Sequence, residues 1–319
     1  MAKDDASRAG AGLMNSKLFT RLDRCIICGS DRLKAVMEAR DPHYGNPGRF
    51  PIDECQECQA GLLNPMPTLA YLATAYPTTY SVYLITHTTP LKEFIRAALG
   101  FVTEATGDPK FAKPGRMVDV GCANGDALAK FRRMGWDTVG VEISEQAAEA
   151  ARSAHGLDVR VGTLHDAALP DADFDYVRLN HCFEHIINPR EVLAELRRII
   201  KPDGTLFIGV PNRAGWAAKL FGPHWWNLGP PVHPVNYTPA TLRRLLDETG
   251  FRTVRVQYNS NFASWLGSLQ IYLNRDNGRS SSDGWVMRNP VFKILAHWGS
   301  KIPDLFGKGD CMEIIAKPR

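Results

Sequence analysis

The chain has 319 residues, of which 44% are hydrophobic and 23% are charged, as is typical of a soluble globular protein. The formal net charge is +4 without a long basic run, so the composition gives no reason to expect a nucleic acid partner. The first residues lack the apolar core of a secretory signal, and no apolar run approaches the roughly 18 residues of a membrane span. We therefore predict a cytoplasmic protein.

Four of the seven cysteines lie in two C-x-x-C pairs within the first predicted unit, residues 20–66. The pairs are Cys25 with Cys28 and Cys55 with Cys58. Such turns present four thiolates to a tetrahedral ion, usually zinc, and four protein ligands leave no open position for substrate. We predict a small zinc-ribbon-like module with a structural zinc. Zinc ribbons often bind nucleic acid, but the surrounding residues mix both signs of charge and do not interleave basic with aromatic side chains.

Residues 67–112 carry two helical patterns, TLAYLATAY and PLKEFIRAALGFV, and we predict a helical linker or lid.

From residue 117 onward, short β-like runs alternate with amphipathic helical runs, which predicts a parallel sheet with helices on both faces. The predicted strands are MVDVGC (117–122), DTVGVEI (137–143), DVRVG (158–162), FDYVRLN (174–180) and TLFIGV (205–210), followed later by FRTVRVQY and a final strand near CMEIIAK.

Helix boundaries can be predicted from capping residues. Ser144 and Thr238 are expected to cap the helices that follow them, and Asn188 is expected to cap a third helix with Glu191 placed for a capping box. Pro202 and Gly204 are expected to end that third helix.

The first strand of this array runs into a glycine turn, VDVGCANGDAL, where the backbone can approach a bound nucleotide. Gly121 and Gly125 permit the approach, and Glu142 ends the second strand, where a carboxylate can accept both hydroxyls of a ribose. Asp119 places a charge inside the first strand, which a purely structural strand seldom carries.

This pattern resembles the class I S-adenosylmethionine-dependent methyltransferases, which have an acidic residue followed by three glycines at alternate positions. Here the pattern is Asp119, Gly121, Ala123 and Gly125, with alanine in place of the middle glycine. The resemblance covers residues 113–259 and 309–319 and implies a Rossmann-like seven-stranded α/β sheet with an antiparallel last strand.

The resemblance also implies which residues hold S-adenosylmethionine. The methionyl part would contact Asp119 and the glycine turn, whose rim includes Cys122 and Asn124. The ribose would bind Glu142, and the adenine would lie near Ile143, Thr163 and Leu164. Asn180 and His181 end the fourth strand and are placed to touch the cofactor. A cofactor-free domain of the same fold and an NAD-binding domain are the alternatives.

The stretch HCFEHIINP contains H-x-x-E-H, a spacing found in zinc peptidases, but those ligands need one continuous helix. Here the motif follows a strand and precedes a helix that begins only at Pro189, at the sheet edge where ligands bind. We predict that His185 is the base that deprotonates the acceptor, with His181 as the second candidate, and that Glu184 orients the imidazole or binds the acceptor. The alternative is that Glu184 and His185 only cap the next helix.

The segment after the fifth strand is rich in Trp, Pro and Gly. Aromatic faces beside polar groups suit carbohydrate rings, so Trp225, Trp226, His233 and Tyr237 are candidate acceptor-site residues, with an aromatic core as the alternative. The cysteine module before such a domain is similar to the sugar C-methyltransferases of deoxysugar pathways, in which Tyr76 and Tyr80 would have counterparts near the substrate. Both tyrosines can equally be packing residues, and the large C-terminal domain of those enzymes is missing here.

Residues 260–308 are predicted to fold as helices that form a lid or an interface. Residues 285–306 combine helically spaced apolar residues with lysines, which suits a peripheral membrane contact; packing on the protein's own domain or in a homodimer is the alternative.

Taken together, these patterns predict a methyltransferase that acts on a sugar, nucleotide-sugar or related hydroxylated small molecule. The alternatives are a small-molecule O-, N- or C-methyltransferase of secondary metabolism and a catalytically silent methyltransferase-like module that binds nucleic acid.

Overall fold

A seven-stranded sheet and a four-stranded sheet organise the chain in the computed structural model, which describes residues 17–75, 107–275 and 283–319. The strands are β1 (Phe19–Thr20), β2 (Leu33–Ala39), β3 (Phe50–Cys55), β4 (Gly61–Leu63), β5 (Met66–Pro67), β6 (Arg116–Val120), β7 (Asp137–Glu142), β8 (Asp158–Val161), β9 (Phe174–Asn180), β10 (Ile200–Pro211), β11 (Val235–Asn236), β12 (Phe251–Asn259) and β13 (Cys311–Pro318). The helices are α1 (Leu69–Ala75), α2 (Asp126–Arg133), α3 (Glu145–His155), α4 (Pro189–Ile199), α5 (Trp216–Phe221), α6 (Pro239–Glu248), α7 (Phe262–Asn274), α8 (Trp285–Arg288), α9 (Pro290–Gly299) and α10 (Ile302–Leu305).

The large sheet has the strand order β12-β13-β10-β9-β6-β7-β8. Strands β6 to β10 pair in parallel, whereas β13 inserts antiparallel between β10 and β12, with Leu206 opposite Ala316 and Val256 opposite Ile314. This arrangement confirms the predicted seven-stranded α/β sheet, including its antiparallel last strand.

Helices cover both faces of this sheet. Successive side chains of a strand point to opposite faces, so neighbouring residues of β6 pack against different helices. On β6, Met117 packs with α2 and α3 residues such as Leu128 and Ala148, and the next residue, Val118, packs with the cluster that contains α4 and α6. The strands between them are therefore buried on both sides, which explains why they are near-continuous apolar runs.

Two of the predicted helix caps are confirmed. Ser144 Oγ accepts a hydrogen bond from the Ala147 N–H at 3.3 Å, and Thr238 Oγ1 accepts one from the Thr241 N–H at 3.1 Å. These bonds satisfy backbone donors that have no partner within their own helix.

Helix α4 begins as predicted, with Asn188 at the N-cap and Pro189 at its first position, but the predicted capping bond and the predicted end need correction. The Asn188 side chain makes no capping bond to the backbone; its amide donates to the Glu191 carboxylate at 2.6 Å instead. The helix ends at Ile199, before Pro202, and β10 begins at Ile200 with an irregular register between Ile200 and Thr205. The Pro202–Gly204 region is thus the irregular start of a strand and not the end of the helix.

The four-stranded sheet joins the N-terminal segment to the rest of the chain, with the order β11-β4-β3-β2. Its strand β11 comes from the segment after β10, and Val235 lies opposite Leu62. Ile27, Cys55 and Leu62 share one buried cluster with residues of the large sheet. The N-terminal segment is therefore packed onto the large-sheet domain through a common core.

Helices α7 to α10 lie in the described part of residues 260–308. The predicted helix PLKEFIRAALGFV, Tyr76 and Tyr80 lie outside the described residues. Over residues 17–75, 107–275 and 283–319, none of the helices combines the length and the apolar character that crossing a bilayer requires.

Candidate active site

The glycine turn after β6 has a left-handed backbone at three alternate positions. Gly121 and Gly125 have φ values of +74° and +78°, and Ala123 between them has φ +49°. A Cβ atom at Gly121 would lie 2.7 Å from Cys182 Sγ, so space as well as conformation requires glycine there. Ala123 keeps the glycine-like conformation although it carries a side chain, which costs roughly 1–2 kcal/mol.

Glu142 links the turn to the next helix. Its buried carboxylate accepts hydrogen bonds from the Ala123 N–H and from the Ser144 N–H, each at 2.9 Å, one on each oxygen. Because each carboxylate oxygen has two lone pairs, both oxygens can accept a further hydrogen bond. This pair of acceptors fits the two hydroxyls of a ribose.

Asp119 is 1% exposed and faces Arg178 on the neighbouring strand β9. Arg178 Nη1 lies 3.1 and 3.0 Å from the two carboxylate oxygens, and its Nε donates to Asp108 at 3.0 Å. Burial raises the pKa of Asp119 to about 6, although the Arg178 charge opposes the rise. Desolvation thus outweighs pairing at this carboxyl.

Two neighbouring cavities open at the carboxyl ends of the strands. The smaller one, about 310 Å³, is lined by the predicted ribose and adenine residues Glu142, Ile143, Thr163 and Leu164. The larger one, about 710 Å³, is lined by Asp119, Cys122, Asn124, Asn180 and His181 among others. Gly121 and His185 line both cavities, so they mark the junction between them. Gly125 borders the turn at the start of α2.

The motif HCFEH forms a short 3₁₀ turn at Phe183–His185 directly after β9. Glu184 is 1% exposed, and one of its oxygens lies 3.2 Å from His181 Nδ1. Its other oxygen, Oε2, is buried without a hydrogen-bond partner. Burial favours the neutral acid, but the hydrogen bond and charge of His181 outweigh it and lower the pKa of Glu184 to about 2. Glu184 is therefore an anion at neutral pH.

His185 and His233 lie beside this carboxylate. One ligand atom from each of Glu184, His185 and His233 lies within 4.8 Å of the others, and the two imidazole centroids are 4.7 Å apart. His185 Nδ1 is 2.6 Å from the Val232 carbonyl oxygen, and His233 Nδ1 is 2.9 Å from that of Asn227. A carbonyl only accepts, so Nδ1 carries the proton in both rings and Nε2 is the basic nitrogen of the neutral form. Burial lowers the pKa of His233 most, the charge of His185 lowers it further, and the resulting pKa is about 3.

The structure separates the four aromatic-segment candidates into two groups. Trp226 and His233 line the larger cavity. Trp225 is 2% exposed in a core cluster with Phe19, and Tyr237 is 0% exposed with its ring stacked on Phe183 at 5.3 Å. The acceptor-site prediction is therefore corrected for Trp225 and Tyr237, whose side chains point into the core.

Several residues of the larger cavity were not among the sequence candidates, among them His43, Tyr44 and Arg178. His43 and Tyr44 come from the loop between β2 and β3, and Arg178 comes from β9. The loop is shaped by Asp41, whose carboxylate accepts the N–H groups of His43 and Tyr44 at 2.8 and 3.0 Å. In the sequence, Arg178 could have been recognised as a site residue because it places a charge within the apolar run FDYVRLN. No local pattern marks His43 as a site residue.

The four N-terminal cysteines come together as the spacing predicts. Their sulfur atoms all lie within 4.8 Å of one another, with Cys25 3.6 Å from Cys58 and Cys28 3.5 Å from Cys55. Tetrahedral Zn–S bonds of about 2.3 Å place sulfurs about 3.8 Å apart, so the cluster fits a zinc ion. Both C-x-x-C pairs use the same turn. The residue after the second cysteine donates its N–H to the carbonyl of the first cysteine at 2.8 Å, from Gly29 to Cys25 and from Gln59 to Cys55.

The sheet order, the glycine turn and the acidic strand end together define a class I methyltransferase domain. Comparison with protein families agrees: a methyltransferase domain family matches residues 91–256, just over half of the 319-residue chain. The chain belongs to this family, and the predicted class, a class I S-adenosylmethionine-dependent methyltransferase domain, is confirmed.

Curated relatives match over shorter stretches. A ubiquinone biosynthesis O-methyltransferase of Hahella chejuensis is 34% identical over 132 residues, which are 39% of this chain and 53% of that protein. An uncharacterized 37.1 kDa transposon protein of Streptomyces fradiae is 31% identical over 109 residues, 32% of each chain. The chain thus spans about a third to a half of the length of these two relatives.

Solved structures of similar fold include a SAM dependent methyltransferase from Archaeoglobus fulgidus, with 22% identity and a TM-score of 0.46 over 71% of this chain and 94% of that one. Another, titled a possible histamine N-methyltransferase from Thermotoga maritima, has 19% identity and a TM-score of 0.47 over 72% of this chain and 95% of that one.

Proposed function

We propose that this protein transfers the methyl group of S-adenosylmethionine to a hydroxyl oxygen of a sugar, nucleotide-sugar or related hydroxylated small molecule. The observation that carries the proposal is the position of His185, which lines both cavities. The smaller cavity would hold the adenine and ribose of the donor, and the methionyl part would reach into the larger cavity, which also holds the acceptor. A base at the junction of the two cavities then stands beside the methyl group and the acceptor, whose alignment in-line transfer needs.

The chain's own residues supply the binding groups for the donor. Glu142 offers both carboxylate oxygens to the ribose, and Gly121 allows the backbone to approach the ligand without a side chain between them. Asp119 and Arg178 line the larger cavity, and Arg178 pairs with both Asp119 and Asp108. Two carboxylates thus face one guanidinium, and this excess of negative charge suits the ammonium group of the methionyl part.

Proton removal is assigned to His185. When bound, S-adenosylmethionine supplies an electrophilic methyl group, whose carbon–sulfur bond breaks as a carbon–oxygen bond forms. The hydroxyl proton passes to His185 Nε2, because Nδ1 is committed to the Val232 carbonyl. Glu184, anionic and buried beside this ring, stabilises the imidazolium that results.

Several features support an oxygen acceptor with a polar ring. Trp226 and His43 meet edge to face at 4.6 Å in the wall of the larger cavity, and Tyr44 stands beside them. Aromatic faces next to histidines suit the mixed apolar and hydroxylated surface of a carbohydrate. The relatives named O-methyltransferases favour oxygen over nitrogen or carbon. Another small molecule of secondary metabolism, methylated at O, N or C, is the second candidate.

We propose that a structural zinc occupies the four-cysteine cluster. The sulfur spacing supports it, and four thiolates complete a tetrahedral site without an open position. Metal analysis by mass spectrometry should find about one zinc per chain, lost in Cys28→Ser and retained in Cys122→Ser. The second variant is the control because Cys122 is a free cysteine outside the cluster. Purified protein without zinc would contradict the assignment.

Two measurements test the proposed activity. Calorimetry should show S-adenosylmethionine binding that Glu142→Ala weakens at least about 100-fold, since two hydrogen bonds to a charged group are lost. A mass-spectrometric screen of hydroxylated acceptors should detect a gain of one methyl group. Absence of donor binding, combined with a salt-sensitive shift of DNA or RNA, would favour the silent nucleic-acid-binding alternative instead.

His185 can be tested separately. His185→Ala should lower kcat by about 100-fold or more while donor binding is retained, because a positioned base contributes 10²–10⁴-fold. His297→Ala, which removes a histidine outside both cavities, is the control. Unchanged turnover in His185→Ala, or turnover that depends on an added divalent ion, would show that His185 is not the base.

A further inference from the structure

An apolar surface remains on the helices after the site. Helix α9 has the sequence PVFKILAHWG, yet none of its residues is buried. Its Leu295 and Trp298 are each 65% exposed, and Leu305 after it is 84% exposed. We call this surface the docking face and define it by its exposed apolar residues: Trp285, Val291, Ile294, Leu295, Trp298, Ile302, Leu305 and Phe306.

The docking face is held together by contacts of its own. Helices α8 and α9 pack against α7, and the Trp285 ring lies 5.5 Å from that of Phe292. Phe306 stacks on Trp216 of α5 at 5.6 Å, and Trp216 is itself 40% exposed. Isolated apolar side chains on a surface are ordinary, but eight of them on consecutive helices, including two tryptophans, mark an interaction site.

The segments that carry the docking face have mostly positive charges. Residues 216–221, 262–275 and 283–308 contain six basic side chains and two acidic ones, Asp283 and Asp304. Asp283 pairs with Arg288 at 2.7 Å, and Asp304 accepts hydrogen bonds from Ser260 and lies 4.0 Å from Lys301. The basic residues are Lys219, Arg275, Arg288, Lys293, Lys301 and Lys308. These segments therefore combine exposed apolar and aromatic groups with a net positive charge.

We propose that the docking face binds the surface of an anionic lipid bilayer. Tryptophans settle at the headgroup level, where their rings are partly apolar and partly polar, and lysines and arginines are attracted to anionic headgroups. Helix α9 has ten residues, about 15 Å of helix against a bilayer core of about 30 Å, so it would lie on the membrane without crossing it.

The charge distribution favours a bilayer over a second copy of the chain. A two-fold dimer through this face would bring the same basic residues of both copies together, and like charges facing each other disfavour association. An anionic surface is complementary to the same charges.

The docking face is also connected to the acceptor cavity. Helix α7 supports the face from below and also holds Trp226: the Trp226 N–H donates to Ser268 Oγ at 2.9 Å. A Cβ atom on Gly267 would overlap the Trp226 ring, so helix and cavity wall are in direct contact. Membrane binding would thus act on the same helix that shapes the cavity for the acceptor.

Vesicle flotation with the full chain tests the proposal. Vesicles of equal parts phosphatidylglycerol and phosphatidylcholine should carry the protein to the top of the gradient, and pure phosphatidylcholine should carry it at least about tenfold less. The double variant Leu295→Glu/Trp298→Glu should lose at least about tenfold in affinity, because two buried apolar side chains are replaced by charges. Raising the salt concentration should weaken binding of the wild type.

The control is Met134→Glu, which adds a charge at a side chain 59% exposed outside the face and should bind vesicles like the wild type. Circular dichroism establishes that each variant is folded. Calorimetry with S-adenosylmethionine measures donor binding independently, so a failure of vesicle binding can be told apart from a failure of the proposed activity. Failure of the wild type to float, or equal binding by the double variant, would overturn the proposal. Sedimentation showing a wild-type dimer that the double variant converts to monomer, without vesicle binding, would assign the face to a second copy.

Discussion

Replacing Asp119 by asparagine should change how stability depends on pH. The carboxyl is 1% exposed and burial raises its pKa from 3.8 to about 6. A folded-state pKa above the unfolded value means that folding favours the protonated acid. The contribution of Asp119 to stability is therefore greatest below pH 4 and is lost as the pH rises through 6.

The magnitude follows from the size of the shift. A difference of about two pKa units corresponds to about 3 kcal/mol in total, of which about 1.4 kcal/mol falls between pH 5 and pH 8. The asparagine side chain that replaces the carboxyl does not titrate, but its amide oxygen can still accept from Arg178. Relative to the wild type, Asp119→Asn should thus gain about 1.4 kcal/mol in unfolding free energy between these two pH values.

Guanidinium unfolding of both proteins at pH 5 and pH 8 measures this double difference, in which the contributions of other groups cancel. An identical difference at both pH values would show that Asp119 does not titrate in this range. A change of opposite sign would show that pairing with Arg178 outweighs burial and lowers the Asp119 pKa.

Three further substitutions test the glycine turn and the attachment of the cysteine module. Ala123→Gly should stabilise the protein by roughly 0.5–1 kcal/mol in chemical denaturation, because φ is +49° at this position; destabilisation would contradict a strained backbone. Gly121→Ala should weaken S-adenosylmethionine binding at least about tenfold in calorimetry, since the new Cβ meets Cys182 Sγ at 2.7 Å, and adding Cys182→Ala should restore part of the loss. Thr241→Val should destabilise the protein by about 1–3 kcal/mol, because the buried Cys58 carbonyl loses its 2.6 Å hydrogen bond; an unchanged unfolding midpoint would show that this bond does not anchor the module.

Local patterns predicted the large sheet well for physical reasons. Strands buried on both faces are apolar throughout, and capping bonds such as those of Ser144 and Thr238 join residues three positions apart. The same locality explains why the glycine turn and Glu142 were found: a strand end, a turn and a helix start are adjacent along the chain.

The acceptor side of the site was harder to predict because it depends on side-chain direction and on distant contacts. Trp225 and Trp226 are neighbours in sequence, yet one is buried in the core and the other lines the larger cavity. His43 Nε2 lies 2.8 Å from the Trp226 carbonyl oxygen across 183 positions of sequence, and no local periodicity reports such a contact.

The contact of His43 with the cavity also indicates why a cysteine module accompanies the methyltransferase domain. The loop that carries His43 connects β2 and β3, and β3 ends at Cys55 of the cluster. The module is fixed to the large-sheet domain at several points, among them the pairing of β4 with β11 and the bond from Arg190 Nε to the Ile27 carbonyl at 2.8 Å. The small sheet shares its core with the large sheet, and an ion bound by all four cysteines would add a rigid link at the end of β3. A structural ion in the cluster would therefore set the position of one wall of the acceptor cavity without taking part in the chemistry.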